Sequence, residues 1–425
     1  MKILTRTVRK LLSDKTDRFT FDRCAESDYV LNPKKAFGLY LHIPFCRSLC
    51  PYCPYNKILY DRSTAESYVE AVCKEIELAA RRIGRQKFES LYIGGGTPTL
   101  LIPGLEKIMT EIRKYFVVNG PIAIETTPSD FTEDKIKKLK EIGVTYISLG
   151  VQSFEQKNLA LLGRNHDSAA TEQAAFLLNK KDFEVANVDL IFAYPGQTVD
   201  ELLGDLQRCV SFGPQQVTCY PLFTFPYSNV GQFFKLKNVR MPGWFIRRKM
   251  YYAIVDFFKQ RGYGQSSVWS FNLNQNGKYS SVTRDYYIGF GAGAASYTGT
   301  DFYFNTFSVP EYLRTARQRI PVALKMQVSP RLERLFWLYW RFYDTQIPTA
   351  DYRRLFGRTL DQDFGGLLSV LKILGFLAPA HDNSLYLTKR GSFWVHLLQN
   401  HFALNYVNTL WTACRLQSWP SRIAI

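Results

Sequence analysis

The sequence predicts an α/β fold, a partial (β/α)6 TIM-like barrel followed by a C-terminal helical, winged-helix-like domain. Three observations predict it. Six short β-rich runs alternate with helical patterns through the first 230 residues, as strand–helix units of a parallel sheet do. The chemically unusual residues sit mostly at or near the C-terminal ends of those runs, where such sheets carry their sites. After about residue 322 the texture changes to bulky apolar and basic helices.

Residues 1–37 read as an N-terminal extension. It begins MKILTRTVRKLLSDKTDRF, basic and faintly amphipathic, without the apolar core of a signal peptide. The barrel is expected over 38–322. Its strands are GLYLHI (38–43), SLYIGGG (90–96), IAIETTP (122–128), TYISLGV (145–151), NVDLIFAYPG (187–196) and VTCYPLFTF (217–225). Between the first two lies a helix: Ser63 and Glu66 are spaced as a capping box, Tyr68, Val72, Ile76, Ala79 and Ile83 share one face, and Gly84 marks the stop. EDKIKKLKEIG (133–143) ends in the same way at Gly143. The C-terminal domain spans 323–425. It opens with the helix RLERLFWLYWRFYDTQI, and a shorter helical segment with LYLTKRG supplies a small β-wing. The tail SFWVHLLQNHFALNYVNTLW is too apolar for a solvated helix, so packing on the barrel is expected before a substrate-covering or membrane-surface role.

At 425 residues and 46% hydrophobic, the chain can bury a large core, and no apolar run approaches the roughly 18 residues that span a bilayer. The expectation is a soluble, cytoplasmic protein without a transmembrane segment. Five of the eight cysteines (Cys24, Cys73, Cys209, Cys219 and Cys414) are scattered and give no disulfide framework. The charge of +17 suits a solvated basic surface, an acidic substrate or an acidic carrier protein. Nucleic-acid binding through the winged-helix-like domain is the weakest of these readings.

The other three cysteines, Cys46, Cys50 and Cys53, lie in YLHIPFCRSLCPYCPYN (40–56) with the spacing C-x3-C-x2-C. A structural zinc cage closes with four ligands. Three thiolates on a [4Fe-4S] cube leave one iron open. Zinc with a distant fourth ligand is the other option. His42, on the HIP segment leading into the loop, suits a backbone hydrogen bond better than a metal.

YLHIPFCRSLCPYC resembles the signature of the radical S-adenosylmethionine (SAM) enzymes, in the HemN-like branch that contains oxygen-independent coproporphyrinogen III oxidase. The resemblance covers most of 38–300, with a looser match beyond. It implies that Cys46, Cys50 and Cys53 hold the cluster, that the open iron chelates SAM, and that an electron from the cluster releases a 5′-deoxyadenosyl radical. Tyr40 opens the signature, and Tyr52 takes the place of an aromatic that meets adenine. Gly95, Gly96 and Thr97 of IGGGTPT (93–99) stand where backbone approaches SAM, which glycine permits. Glu125 of ETTPSD takes the place of an acid that contacts this first SAM, and Ala295 of YIGFGAGAASYTG (287–299) lies in a segment that closes over it. ISLGVQSF…LLGRNHD carries Gln152 and Arg164, and NVDLIFAYPGQT carries Asp189. By resemblance these hold a second SAM, glutamine and aspartate near its ribose and arginine on its carboxylate, a pairing suited to bidentate bonding. Taken singly, Asp189 reads as a core acid and Arg164 as a surface arginine.

Two places depart from the branch. Coproporphyrinogen oxidases carry a further cysteine two positions after the third, where this chain has Tyr55. Heme-binding chaperones carry HNxxYW before their glycine motif, where this chain has SVTRDYYIGFGAGA. The resemblance then points to the class C methyltransferases and cyclopropanases, which use two SAM molecules to put a methyl or methylene unit on an sp2 carbon. The implied partners are a hydrophobic or conjugated, anionic or carrier-bound substrate and a reductant such as flavodoxin or ferredoxin. The 15% aromatic content and Phe223, Phe225 and Tyr227 suit a flat substrate, or simply a core. Tyr227, Tyr286 and Tyr287 are candidate proton donors or radical quenchers. The alternatives are a tetrapyrrole enzyme, either coproporphyrinogen III oxidase-like or heme-degrading, and, from another class, a heme-binding delivery protein.

Overall fold

Seven parallel strands surround the interior of the barrel. Six are the expected ones: β1 (Gly38–Ile43), β2 (Ser90–Gly95), β3 (Ile122–Thr126), β4 (Tyr146–Gln152), β5 (Val185–Phe192) and β6 (Gln216–Pro221). They lie side by side in chain order, each parallel to the next. The seventh, β7 (Tyr287–Phe290), pairs in parallel with the free side of β1. The structure is a computed structural model that describes residues 19–30, 37–180, 183–223, 241–273, 278–280 and 285–425. Phe225 and Tyr227 lie outside them.

The strands form because their residues alternate between two environments. Leu39, Leu41 and Ile43 of β1, Leu91 and Ile93 of β2, Ile122 and Ile124 of β3, and Ile147, Leu149 and Val151 of β4 join the apolar layer shared with the surrounding helices. The intervening positions are Tyr40, His42, Tyr92, Glu125, Ser148, Gln152, Asn187, Asp189, Thr218 and Tyr220. That register puts the polar residues of all six strands toward the interior. Between β4 and β5 the register shifts after Asp189, so that Leu190 pairs with Gln152, and Gln152 takes a left-handed φ of 71°. The bulge re-aims the end of β4.

Helix α1 (Arg62–Ile83) buries the predicted face of Tyr68, Val72, Ile76, Ala79 and Ile83 and stops at Gly84, whose φ is 69°. Its cap is Asp61, which accepts from the Thr64 backbone N–H, and not the expected Ser63 box. An aspartate in extended backbone one residue before the helix outcompetes a serine already within the first turn. Helix α2 (Glu133–Glu141) follows the Thr132 cap and ends before Gly143 at φ 88°.

Beyond β6 the sheet continues antiparallel through Ser270–Asn272 and Gly264–Gln265. Beyond β7 it continues through Ala295–Tyr297, Asp301–Asn305, Val322–Gln327, Thr20–Arg23 and finally Arg422–Ala424. Segments from both ends of the chain therefore complete one sheet, which stays open at its edges among the described residues.

The C-terminal domain runs α3 (Pro330–Tyr343), β8 (Gln346–Ile347), α4 (Thr349–Phe356), α5 (Leu360–Ile373), β9 (Leu377–Pro379), β10 (Leu385–Leu387) and α6 (Lys389–Leu416). The strands pair in the order β8-β10-β9, the wing arrangement, over a small core that includes Trp337, Leu338, Tyr352 and Phe364. From α6, Phe393, Leu410 and Cys414 pack into the main core. No described helix is long and apolar enough to cross a membrane.

Candidate active site

The loop after β1 is pinned at both ends. Phe45–Cys46 pairs with Ile58–Leu59, and the His42 ring bridges Tyr40 Oη (2.7 Å, at Nδ1) and the Asn56 carbonyl (2.8 Å, at Nε2). A carbonyl only accepts, so Nε2 carries the proton and Nδ1 accepts from the tyrosine. Burial lowers the His42 pKa to about 4 and keeps the ring neutral. It thus makes the backbone hydrogen bond expected of it. Within the loop, Lys57 Nζ ties together the carbonyls of Cys50 (2.7 Å) and Cys53 (3.0 Å), and Arg47 pairs with buried Asp130 at 3.3 Å.

The glycine loop after β2 docks against these cysteines. Gly96 N–H donates to the Ile43 carbonyl and Thr97 N–H to the Phe45 carbonyl, each at 2.7 Å. A Cβ on Gly96 would stand 2.6 Å from the Phe45 carbonyl oxygen and 3.0 Å from Cys46 Sγ. The approach excludes any side chain there. Burial pushes the Cys46 thiol up to about 11, opposed by the Thr97 hydroxyl at 3.8 Å.

All three cysteines are free and line a single cavity of ≈ 440 Å³ at the mouth of the barrel. Among the described residues no three His, Cys, Asp or Glu side chains converge on one ion. A cluster spreads its thiolates around a cube, and the residues fit one: three free thiols lining one cavity, the Arg164 guanidinium 3.6 Å from Cys50 Sγ, and the side-chain-free cradle at Gly96.

Two half-buried carboxylates line the interior. Glu125 accepts from the Tyr92 hydroxyl and from Gly95 N–H at 3.1 Å. Burial raises its pKa to about 7, with the negative charge of Asp189 adding and these hydrogen bonds opposing. Asp189 accepts from Asn187 (2.8 Å) and Ser148 (2.9 Å); burial raises it to about 6 against those bonds and Arg164. Gln152 is held by Tyr220 on its side chain and Tyr194 on its carbonyl, both at 2.9 Å. Arg164 donates to the Gly150 carbonyl (2.9 Å) and Tyr52 Oη (3.3 Å), while its buried Nε has no hydrogen-bond partner among the described residues.

Of the thirteen residues singled out by sequence, eleven line the cavity. Tyr40 sits behind the wall, its ring stacked at 6.0 Å on Tyr92. Ala295 lies on the strand beside β7 and outside the lining. Phe223 lines the cavity, whereas Tyr286, bonded to Glu333 at 2.6 Å, and Tyr287 do not. Sequence reasoning missed Tyr92, Ser148, Thr218, Tyr220 and Tyr279; strand alternation around Glu125 and Asp189 was the available signal for the first four. For the apolar tail it ranked core packing before a substrate-covering role; the tail packs into the core and also lines the cavity. Tyr339, Trp340 and Tyr343 from α3, His396, Asn400 and Ala403 from α6, and Trp269 line the same cavity as the cysteines, and we refer to them as its roof. Trp269 Nε1 donates to His396 Nε2 at 3.1 Å.

The family model described as "Radical SAM superfamily" matches residues 40–209. The heme chaperone HemW of Lactococcus lactis is 30% identical over 289 residues, 67% of this chain and 75% of the relative. HemW of Bacillus subtilis is 27% identical over 362 residues, 83% and 95% of the two chains. The oxygen-independent coproporphyrinogen III oxidase of Bradyrhizobium diazoefficiens is 29% identical over 302 residues, 65% and 66% of the two chains. Among solved structures, coproporphyrinogen III oxidase (HemN) of Escherichia coli superposes with a TM-score of 0.75 at 21% identity, covering 92% of this chain and 95% of that one, which shows the shared fold. These relatives favour the tetrapyrrole alternative over the methyltransferase subtype expected from the sequence. The chain belongs to the radical SAM superfamily, in the HemN-like branch that includes the HemW chaperones and the coproporphyrinogen oxidases.

Proposed function

We propose that this chain is a radical SAM enzyme acting on a flat, conjugated, acidic substrate of the tetrapyrrole class. One observation carries the reading: a single cavity runs from the three thiols to an aromatic roof of Trp269, Tyr339, Trp340 and Tyr343. The superfamily's [4Fe-4S] cluster, when held by Cys46, Cys50 and Cys53, supplies the electron that splits SAM into methionine and a 5′-deoxyadenosyl radical. The backbone of Gly95, Gly96 and Thr97 leaves room for SAM beside the thiols, Glu125 offers an acceptor to its ammonium group, and Tyr52 offers a face to its adenine. Arg47 is paired with Asp130, whereas Lys57 and Arg164 are lining cations that could meet the acid groups of such a substrate beside Glu125 and Asp189. The names of the relatives, a heme chaperone and a coproporphyrinogen oxidase, agree with this substrate class.

A second reading places another SAM against Gln152, Arg164 and Asp189 for methyl or methylene transfer. The buried, unpartnered Nε of Arg164 favours it, since such an atom awaits an acceptor. Both readings are tested anaerobically, with reconstituted and reduced protein, SAM deuterated in its methyl group, and a porphyrinogen. Unlabelled 5′-deoxyadenosine with conversion of the porphyrinogen is the expected result. Deuterium in 5′-deoxyadenosine together with S-adenosylhomocysteine would transfer the assignment to the second reading. Absence of 5′-deoxyadenosine would reject both.

A further inference from the structure

The segment Gly291–Gly293 that follows β7 is bonded both to helix α1 and to the end of the cysteine loop. Two successive backbone N–H groups end on α1: Gly291 donates to Glu75 at 2.9 Å and Ala292 to Tyr68 Oη at 2.8 Å. Tyr68 Oη in turn donates to the His42 carbonyl at 2.9 Å. From the cysteine loop, Asn56 Nδ2 donates to the carbonyls of Ala292 (3.2 Å) and Phe307 (2.9 Å). The carbonyl of Asn56 also holds the His42 ring, and the next residue is Lys57, which ties Cys50 to Cys53. The fit leaves no room for a side chain. Gly291 has a φ of 106°, and a Cβ there would stand 2.5 Å from the His42 carbonyl oxygen and 2.6 Å from Tyr68 Oη.

Glu75 is 1% exposed, and among the described residues no lysine, arginine or histidine pairs with it. Three donors converge on it instead: Gly291 N–H and the Tyr312 hydroxyl at Oε2, and Asn305 Nδ2 at Oε1, 2.6 Å away. Asn305 cannot turn its amide over, because the same nitrogen donates to the Gly291 carbonyl at 3.0 Å. A core acid without a cation costs stability, but only a carboxylate accepts from all three donors without presenting a proton of its own. We propose that Glu75 is a positioning residue for the cysteine loop: through the Gly291–Gly293 segment and Asn56, its carboxylate fixes the loop that carries Cys46, Cys50 and Cys53. Tyr68, two helical turns earlier, makes the parallel connection from Ala292 to the end of β1. The donors come from the segment after β7, the strand Asp301–Asn305 and the helix Val309–Ala316, so one acid joins three elements behind the loop. That the loop holds a cluster rests on the function proposed above, whereas the positioning itself can be read in metal-free protein.

The test is the rate at which iodoacetamide alkylates each cysteine of the full-length, metal-free protein, followed by mass spectrometry at pH 8. Burial raises the Glu75 carboxyl to about 7, so it is mostly ionised there. Glu75→Gln keeps the size but sets an amide N–H against Asn305 Nδ2 or against Gly291 N–H, whichever way it turns. The expected result is that Cys50 and Cys53 react several-fold faster, while Cys73, half-buried on α1 two positions from Glu75, keeps its wild-type rate. Acceleration of Cys73 as well would mean that the helix loosens as a whole, and would overturn the specific role. Asn56→Ala should quicken the same two cysteines, and the double variant should react no faster than the faster single one, because both act through one segment. Rates that multiply, or wild-type rates in Glu75→Gln, would overturn the proposal. Should Glu75→Gln fail to fold, Tyr312→Phe deletes one oxygen and takes one donor from the acid. It should quicken Cys50 and Cys53 by a smaller factor, and wild-type rates there would count equally against the proposal. In reconstituted protein, iron release to a chelator should quicken in the same variants. A wild type that shows this pattern of rates but cleaves no SAM would leave the positioning standing and reject the proposed function, so the two failures are distinguishable.

Discussion

Single residues decide how closely the cysteine loop and the glycine loop approach. At Gly96 a methyl group would stand 2.6 Å from the Phe45 carbonyl, and that neighbour is backbone that cannot rotate away. Gly96→Ala should therefore displace the loop from Cys46. The expected outcome is a loss of roughly 1–3 kcal/mol of stability, typical of overpacking, and at least about tenfold weaker SAM binding, read by denaturant melts and calorimetry. Wild-type values in both would mean the close approach is not required. His396 gives a pH prediction. Burial lowers its pKa to about 4, below the 6.5 of an exposed histidine. The unfolded chain then binds the extra proton first, so the stabilisation by this residue is complete above pH 6.5 and shrinks as the pH falls toward 4. The melting-temperature deficit of His396→Gln should narrow over that interval. A deficit constant with pH would contradict a neutral, buried imidazole.

At the scale of elements, the last helix holds more than its own domain. Near its C-terminal end, Arg415 Nη2 donates to the carbonyls of Pro54 (2.8 Å) and Tyr55 (3.0 Å), and Trp411 packs on Tyr55 at 6.2 Å. The same helix puts His396 and Asn400 into the roof. Arg415→Ala should release iron to a chelator several-fold faster, with a stability change of only about 0.5 kcal/mol, the range for exposed positions. Equal release rates would show that the contact does not steady the cysteine loop. The Asp61 cap of α1 is an independent element: Asp61→Ala should cost about 1 kcal/mol in a denaturant melt and leave the cavity intact. Six strands and the buried face of α1 were legible because alternation and a 3.6-residue period are local signals. The pairing of β7 with β1 was not, since Tyr287–Phe290 carries no mark of a partner some 250 positions away in the chain. The cap at Asp61 was missed for a different reason: two capping residues compete within three positions, and backbone conformation decides between them.

For the molecule as a whole, the parallel strands bring residues remote in sequence to one level of the barrel. Cys46, Glu125, Gln152 and Asp189 come from four different strand–helix units and meet at one cavity because each lies on the inward register of its strand or on the loop at its C-terminal end. That convergence could be expected from motif and spacing. The roof was only half legible: the apolar density of α6 suggested packing on the barrel or covering a substrate without choosing the second, and α3 shows an ordinary amphipathic pattern that names no cavity. The strand Thr20–Arg23, lodged between Val322–Gln327 and Arg422–Ala424, ties the two ends of the chain to the same sheet. The central claim is that this cavity cleaves SAM at a three-thiolate cluster. Its most direct test is the yield of 5′-deoxyadenosine from SAM after anaerobic reconstitution and reduction by dithionite, compared between wild type, Cys50→Ala and Cys53→Ala. The account predicts formation by the wild type and none by either variant. A Cys50→Ala protein that forms it at the wild-type rate, or an iron-loaded wild type that forms none, would contradict the account.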